Sequence, residues 1–319
     1  MKRFKNILYV LSNETNEHSP SLARAVSLAK NNQADLTILQ VNPAVSSSFY
    51  SKKIGISEQQ LKEKIEEQGN AKLQRLVSSI GTGFNAKTEQ KRGKKYVEII
   101  RLVQANSYDL VIKEVDDIDW LDRFIGSDDM NLLRKCPSPL WLMKKDEKPD
   151  YDHILAAVDF DDDNTTVNED LNKIILDLGS SLSLSELAKL YVVNAYDVPE
   201  AGFVSLWVEQ PGKIEKELFE AEYQEKRYKM NTLLEGLKNR LGEENYNFLA
   251  PHPIIVQGDP GREIPKVADS ISANLVIMGT VARTGIAGLI IGNTAENILT
   301  QINCSVLAIK PRGFISPIS

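Results

Sequence analysis

Short apolar runs bounded by turn-forming residues recur along the chain, separated by stretches of helical periodicity. In the first half the runs are Ile7–Leu11, Leu36–Val41, Leu110–Val115 and Leu140–Met143. In the second half they are Ile154–Val158, Leu187–Val193, Ile254–Val256, Leu275–Met278 and Val306–Ile309. Runs of this length, apolar on both faces, predict buried parallel strands. Between them, Ser57-Glu-Gln-Gln60 has the form of a capping box and leads into Leu61, Ile65, Leu73, Leu76 and Ile80 at helical spacing. Leu218, Met230, Leu233, Leu234, Leu237 and Leu241 mark a longer helix. Strands alternating with helices predict an α/β protein built on doubly wound parallel sheets with right-handed crossovers.

The pattern occurs twice. Lys5-Asn-Ile-Leu-Tyr-Val-Leu11 resembles the run Asp152–Asp159, and Ser107-Tyr-Asp-Leu-Val-Ile112 resembles Ser272–Ile277. Ile125-Gly-Ser127 resembles Ile291-Gly-Asn293, and Ser138–Lys144 resembles Cys304–Lys310. The four segments keep one order, which points to a duplication with loop insertions in the second copy. A charged, proline-containing stretch, Lys145–Asp150, separates the copies, so the expected domains are 1–146 and 151–319. Two such domains are expected to pack as a pseudo-dimer that covers the edges of the final strands, Leu140–Met143 and Val306–Ile309, and a homodimer through those strands is a further expectation.

Composition adds a compartment and removes some classes. A length of 319 residues fits two domains, and 42% apolar with 26% charged residues is ordinary globular composition. The net charge of −6 argues against a wholly basic nucleic-acid binder. Two cysteines without a CxxC partner argue against a disulfide scaffold and favour a reducing compartment. The N-terminal apolar stretch is too short for a signal peptide, and Arg283 interrupts the longest membrane candidate, Leu275–Ile291. A soluble, cytoplasmic protein with no membrane and no nucleic-acid partner is expected. Charge is unevenly shared, with 24 basic and 20 acidic side chains up to residue 150 against 14 and 24 after it.

Candidate chemistry gathers in the second copy. In an open α/β sheet, ligands sit beyond the carboxyl ends of the strands at the topological switch point. There the first strand ends in Asp159, the strand through Val192 and Val193 ends in Asn194, and Leu275–Met278 runs into Gly279–Thr294. Glycine at 279 leaves room for close approach of a ligand. Gly292, Asn293 and Thr294 place amides at the start of a helix, a site suited to phosphate, and Arg283 offers a bidentate partner for the same oxygens.

On these residues the chain resembles the universal stress proteins, and in particular their tandem, two-domain type. Nucleotide-binding members of that family carry G-x2-G-x9-G-[S/T] after the fourth strand. Here the pattern reads Gly279, Ala282 in place of the second glycine, Gly292, and Asn293 in place of the hydroxyl residue. Ala157-Val-Asp159, Gly258-Asp-Pro260 and Cys304–Ile309 flank it in family-typical form. The resemblance implies that Asp159 contacts adenine or ribose, that the backbone near Val192 borders the adenine, and that Gly279, Ala282, Arg283, Gly292, Asn293 and Thr294 hold ribose and phosphates. It implies ATP or AMP as the ligand, with magnesium as its companion, and a non-catalytic stress-response sensor or scaffold. Ala282 and the apolar stretch Ile286–Ile291 leave a second reading, a binding module for an apolar or lipid-like ligand, and slow ATP hydrolysis is the third. The first copy departs further. Leu11 is read as standing at the aspartate's place, Glu114 replaces Gly279, and the acidic loop from Val115 to Gly126 repels a triphosphate, so this copy is read as structural or partner-binding.

Other motifs take ordinary readings. Asp159–Asp170 departs from a calcium loop in lacking the central glycine and the final glutamate, and is read as a solvated acidic loop. His18, His153 and His252 have no metal-ligand spacing, and no metal site is expected of the protein alone. Cys136 and Cys304 are read as packing residues beside the final strands, and Lys91-Arg-Gly-Lys-Lys95 as a solvated basic loop. Trp207 lies in an irregular stretch, where it either covers a cleft or packs in a core.

Overall fold

The computed structural model describes residues 4–44, 57–81, 83–115, 127–145, 148, 150–161, 165–198, 210–281 and 291–318. The chain divides into two compact units, Met1–Pro149 with Ile315–Ser319, and Asp150–Phe314.

In the first unit the strands are β1 (Asn6–Val10), β2 (Asp35–Asn42), β3 (Lys87–Arg92), β4 (Leu110–Glu114) and β5 (Leu140–Met143). The helices are α1 (Pro20–Asn32), α2 (Glu58–Ser79), α3 (Lys95–Asn106) and α4 (Asp128–Lys135). The strands pair in parallel in the order β3-β2-β1-β4-β5, so the chain reverses its direction of travel across the sheet between β1 and β4. Central strands are apolar because both faces are covered. Ile7, Leu8, Tyr9 and Val10 of β1 are completely buried. The edge strand β3, Lys-Thr-Glu-Gln-Lys-Arg, carries no apolar side chain and holds its place through backbone pairing with β2. The box before α2 forms as its sequence predicts. Ser57 Oγ accepts from the Gln60 amide, and Gln60 Oε1 accepts from the Ser57 amide.

The second unit repeats this plan. Its strands are β6 (His153–Ala157), β7 (Lys189–Tyr196), β8 (His252–Gln257), β9 (Leu275–Gly279) and β10 (Ser305–Ile309), parallel in the order β8-β7-β6-β9-β10. Its helices are α5 (Thr165–Glu186), α6 (Pro211–Leu241), α7 (Glu243–Leu249), α8 (Pro260–Ser270) and α9 (Asn293–Gln301). The duplication reaches into backbone detail. Ser107 and Ser272, at matching places before β4 and β9, both take left-handed conformations, with φ of 53° and 52°. The Asp109 carboxylate accepts from the Lys5 and Asn6 amides, and Asn274 Oδ1 accepts from the Asp152 and His153 amides.

One strand differs from its expected bounds. Leu187 belongs to a turn rather than to β7. It has φ of 57° and is exposed, because it ends α5 in the left-handed region. β7 begins at Lys189 and runs on to Tyr196, beyond the apolar run, since Asn194 is buried with its side-chain amide bonded to the Val158 carbonyl. Trp207 and residues 116–126 lie outside the described residues. No helix among the described residues is long and apolar enough to cross a membrane.

Candidate functional site

A cleft of about 480 Å³ opens in the second unit beyond the carboxyl ends of β6 and β9, at the switch point of the sheet. Its volume lies within the ordinary range of small-molecule sites. β6 and the residues after it supply Ala157, Val158 and Asp159, and β9 supplies Met278 and Gly279. α5 contributes Asn168, Leu171 and Asn172, and the start of α9 contributes Asn293, Thr294 and Ala295. The lining mixes apolar side chains, among them Val158, Ile175, Met278 and Ile298, with the polar Asp159, Asn168, Asn172, Asn293 and Thr294, as small-molecule sites commonly do.

The delivery of α9 to this point has a local cause. Val281 and Ile291 form an antiparallel bridge, and the Gly292 amide donates to the Thr280 carbonyl at 3.3 Å. These two ties bring the chain back to the end of β9 just before the helix begins. Gly292 is the N-cap and has no side chain with which to cap. The first intrahelical bond runs from the Glu296 amide to the Gly292 carbonyl, 2.9 Å, so the amides of Asn293, Thr294 and Ala295 have no acceptor within the helix. Three amides and the positive end of the helix dipole face the cleft, which is the physical basis of an anion site.

Of the residues singled out from the sequence, Asp159, Gly279, Gly292, Asn293 and Thr294 line this cleft together. Val192 does not. It lies in mid-strand, paired with Ala156 and completely buried, and Ala195 three residues later borders the cleft, because β7 is longer than its apolar run. Ala282 and Arg283 lie outside the described residues, as do residues 286–290 of the apolar stretch. Gly279 has a packing role that its sequence position did not show. A Cβ there would sit 2.7 Å from Leu171 Cδ2, so the missing side chain makes room for α5.

Asn172 carried no signal in the sequence. It sits inside α5, is 3% exposed, and grips the backbone of Asp159 in both directions. The Asp159 amide donates to Asn172 Oδ1 at 3.0 Å, and Asn172 Nδ2 donates to the Asp159 carbonyl at 2.6 Å. Asp159 Oδ1 accepts from the Asp161 amide at 3.1 Å, turning the chain away from β6.

The corresponding place in the first unit is filled by the protein itself. The residue in register with Asp159 is Ser12 rather than Leu11. The Leu11 amide donates to Leu39 just as the Val158 amide donates to Val193, so Leu11 matches Val158. Glu114, in register with Gly279, is 2% exposed, and its carboxylate accepts from Ser12 Oγ at 3.2 Å and from Ser21 Oγ at 2.5 Å. Tyr9 shares a hydrogen bond with Ser21, and burial holds its phenol well above the ordinary range, so it stays neutral. Beside Glu114, the completely buried Lys113 meets the Asp129 carboxylate at 2.9 Å in the first turn of α4. That helix is capped by Ser127 Oγ, which accepts from the Met130 amide. At the places matching Gly279 and the start of α9, the first unit thus carries internally bonded side chains, Glu114 and Ser127.

The comparisons with known proteins agree with this architecture. The profile of the Universal stress protein family matches residues 3–144 and again residues 150–310. The Universal stress protein E homolog of Haemophilus influenzae is 29% identical over 328 residues, covering 97% of this chain and 98% of the relative. Among solved structures, a functionally unknown protein from Pseudomonas aeruginosa PAO1 superposes with a TM-score of 0.65 at 25% identity, covering 97% of this chain and 94% of the other. A universal stress protein from Archaeoglobus fulgidus gives a TM-score of 0.64 at 16% identity, covering 96% of each chain, which shows the shared fold.

Proposed function

We propose, from the premise that the chain belongs to the universal stress protein family in its tandem form, that the second unit binds an adenine nucleotide and acts as a sensor or scaffold without catalysing a reaction. The observation that carries this reading is the uncapped start of α9 at the mouth of a cleft that also presents Asp159. Asn293 and Thr294, with the free amides around them, suit a phosphate. The apolar lining residues Ala157, Val158, Met278 and Ile298 suit the face of a purine, and Asp159 accepts N–H or O–H donors from base or ribose. Magnesium, where it accompanies the nucleotide, is held through the phosphates in this reading. The first unit, whose matching groups are internally satisfied, serves as the structural partner.

The same apolar lining favours one second reading, a ligand with an apolar body, and a single experiment separates the two. Mass spectrometry of small molecules released from freshly purified protein is expected to show AMP or ATP, and millimolar AMP is expected to raise the melting temperature. Release of a lipid-like mass instead, with no stabilisation by AMP or ATP, would falsify the nucleotide reading.

A further inference from the structure

The chain leaving β6 is held in an unusual way. Four consecutive carbonyls each accept from a side chain. Val158 receives Asn194 Nδ2 at 3.0 Å, Asp159 receives Asn172 Nδ2 at 2.6 Å, and Asp161 receives Asn168 Nδ2 at 3.2 Å. Phe160 receives both Lys229 Nζ at 3.1 Å and Lys226 Nζ at 3.4 Å. The donors come from β7, α5 and α6, and Asn172, Asn194 and Lys226 are all buried. A connecting segment ordinarily gives such carbonyls to water. Here they are tied down on three sides, at the point where the chain presents a carboxylate to the cleft.

From this arrangement we infer that Asn172 is a positioning residue, which fixes the backbone of Asp159 so that its carboxylate meets the ligand's N–H or O–H donors without reordering. The inference rests on the reading of the cleft given above. The Asn172 side chain holds both the amide and the carbonyl of Asp159. That double grip needs an acceptor and a donor on one short planar group. Aspartate lacks the donor, leucine lacks both, and glutamine is a methylene too long. Asn168 supports the same turn one helical turn earlier, through the Asp161 carbonyl. A segment held in its bound conformation spares the ligand the cost of ordering it.

The test uses the full chain with Asn172→Leu, which removes both bonds, and Asn172→Asp, which keeps the size and loses the donor. Amide hydrogen exchange on the free protein is expected to accelerate by about tenfold at Asp159 and Asp161 in Asn172→Leu, and less at Asp159 in Asn172→Asp, which keeps an acceptor for that amide, with β9 and β10 unchanged. AMP affinity measured by calorimetry is expected to fall about tenfold in an otherwise natural chain, and to fall no further when Asp159→Ala is already present. Unchanged exchange at both amides in Asn172→Leu overturns the inference, and so does an affinity loss that adds in full to that of Asp159→Ala. A natural chain that binds no AMP defeats the nucleotide reading instead, and the exchange measurement on the free protein then decides the positioning role alone.

Discussion

Replacing Thr294 by aspartate is expected to weaken AMP binding by at least about thirtyfold while leaving the melting temperature unchanged or slightly raised. The two effects share one cause. Thr294 stands in the first turn of α9, where the amides of the helix start have no internal acceptor. A carboxylate there is favourable to the helix itself, typically by about 0.3–1 kcal/mol, because it faces the positive end of the dipole. The same carboxylate occupies the place proposed for a phosphate and repels it. Loss of one charge-assisted phosphate contact is worth about 2 kcal/mol, which is the thirtyfold stated. The first unit already carries this device, since Asp128 and Asp129 open α4 at the matching positions. Thermal melting and AMP calorimetry on one preparation check the prediction. Equal affinity in variant and natural protein would place the anion elsewhere.

The second large effect is expected in the first unit. Asp129→Ala removes the carboxylate 2.9 Å from the completely buried Lys113 ammonium, which keeps its hydrogen bond to the Glu114 carbonyl. Removing one member of a buried pair typically costs about 3–5 kcal/mol, because the remaining charge has lost its compensation. Asp129 keeps some contact with solvent, so the low end of that range, about 3 kcal/mol, is expected here. Changing both residues, Lys113→Met as at the matching place 278 of β9 together with Asp129→Ala, removes the charge along with its partner. The double variant is expected to recover most of the loss, because a packed apolar pair is often as stable as a buried ionic one. Denaturant titration of the natural chain, the single variant and the double variant measures this. A double variant as unstable as Asp129→Ala would show that Lys113 holds the unit together by some means other than this pair.

How far the sequence could be read depended on where each signal lay. Buried strands such as β4, β9 and β10 are legible as apolar runs, and the start of α9 is legible as Asn293 or Thr294. The edge strand β3 did not, because strand pairing needs only backbone groups and its side chains are polar. The far end of β7 is hidden because Asn194 breaks the apolar run, although its amide is buried on the Val158 carbonyl. In the site, Asp159, Gly279, Gly292, Asn293 and Thr294 were legible as strand-end and helix-start residues. Asn172 was hidden because its partner lies across a turn, in a contact that no periodicity encodes. Glu114 read as a missing glycine. Its bonds with Ser12 and Ser21, 102 and 93 residues away in the chain, exist only once β1, α1 and β4 are assembled.

The most direct test of the account is an amide correlation spectrum of the full chain titrated with AMP. The amides of Gly292, Asn293, Thr294 and Ala295 are expected to shift together and saturate, accompanied by that of Asp159, while those of Ser127, Asp128, Asp129 and Met130 stay in place. Shifts confined to the first unit, or a spectrum left unmoved at residues 292–295 by saturating AMP, would contradict the claim that the second unit holds the nucleotide on the start of α9.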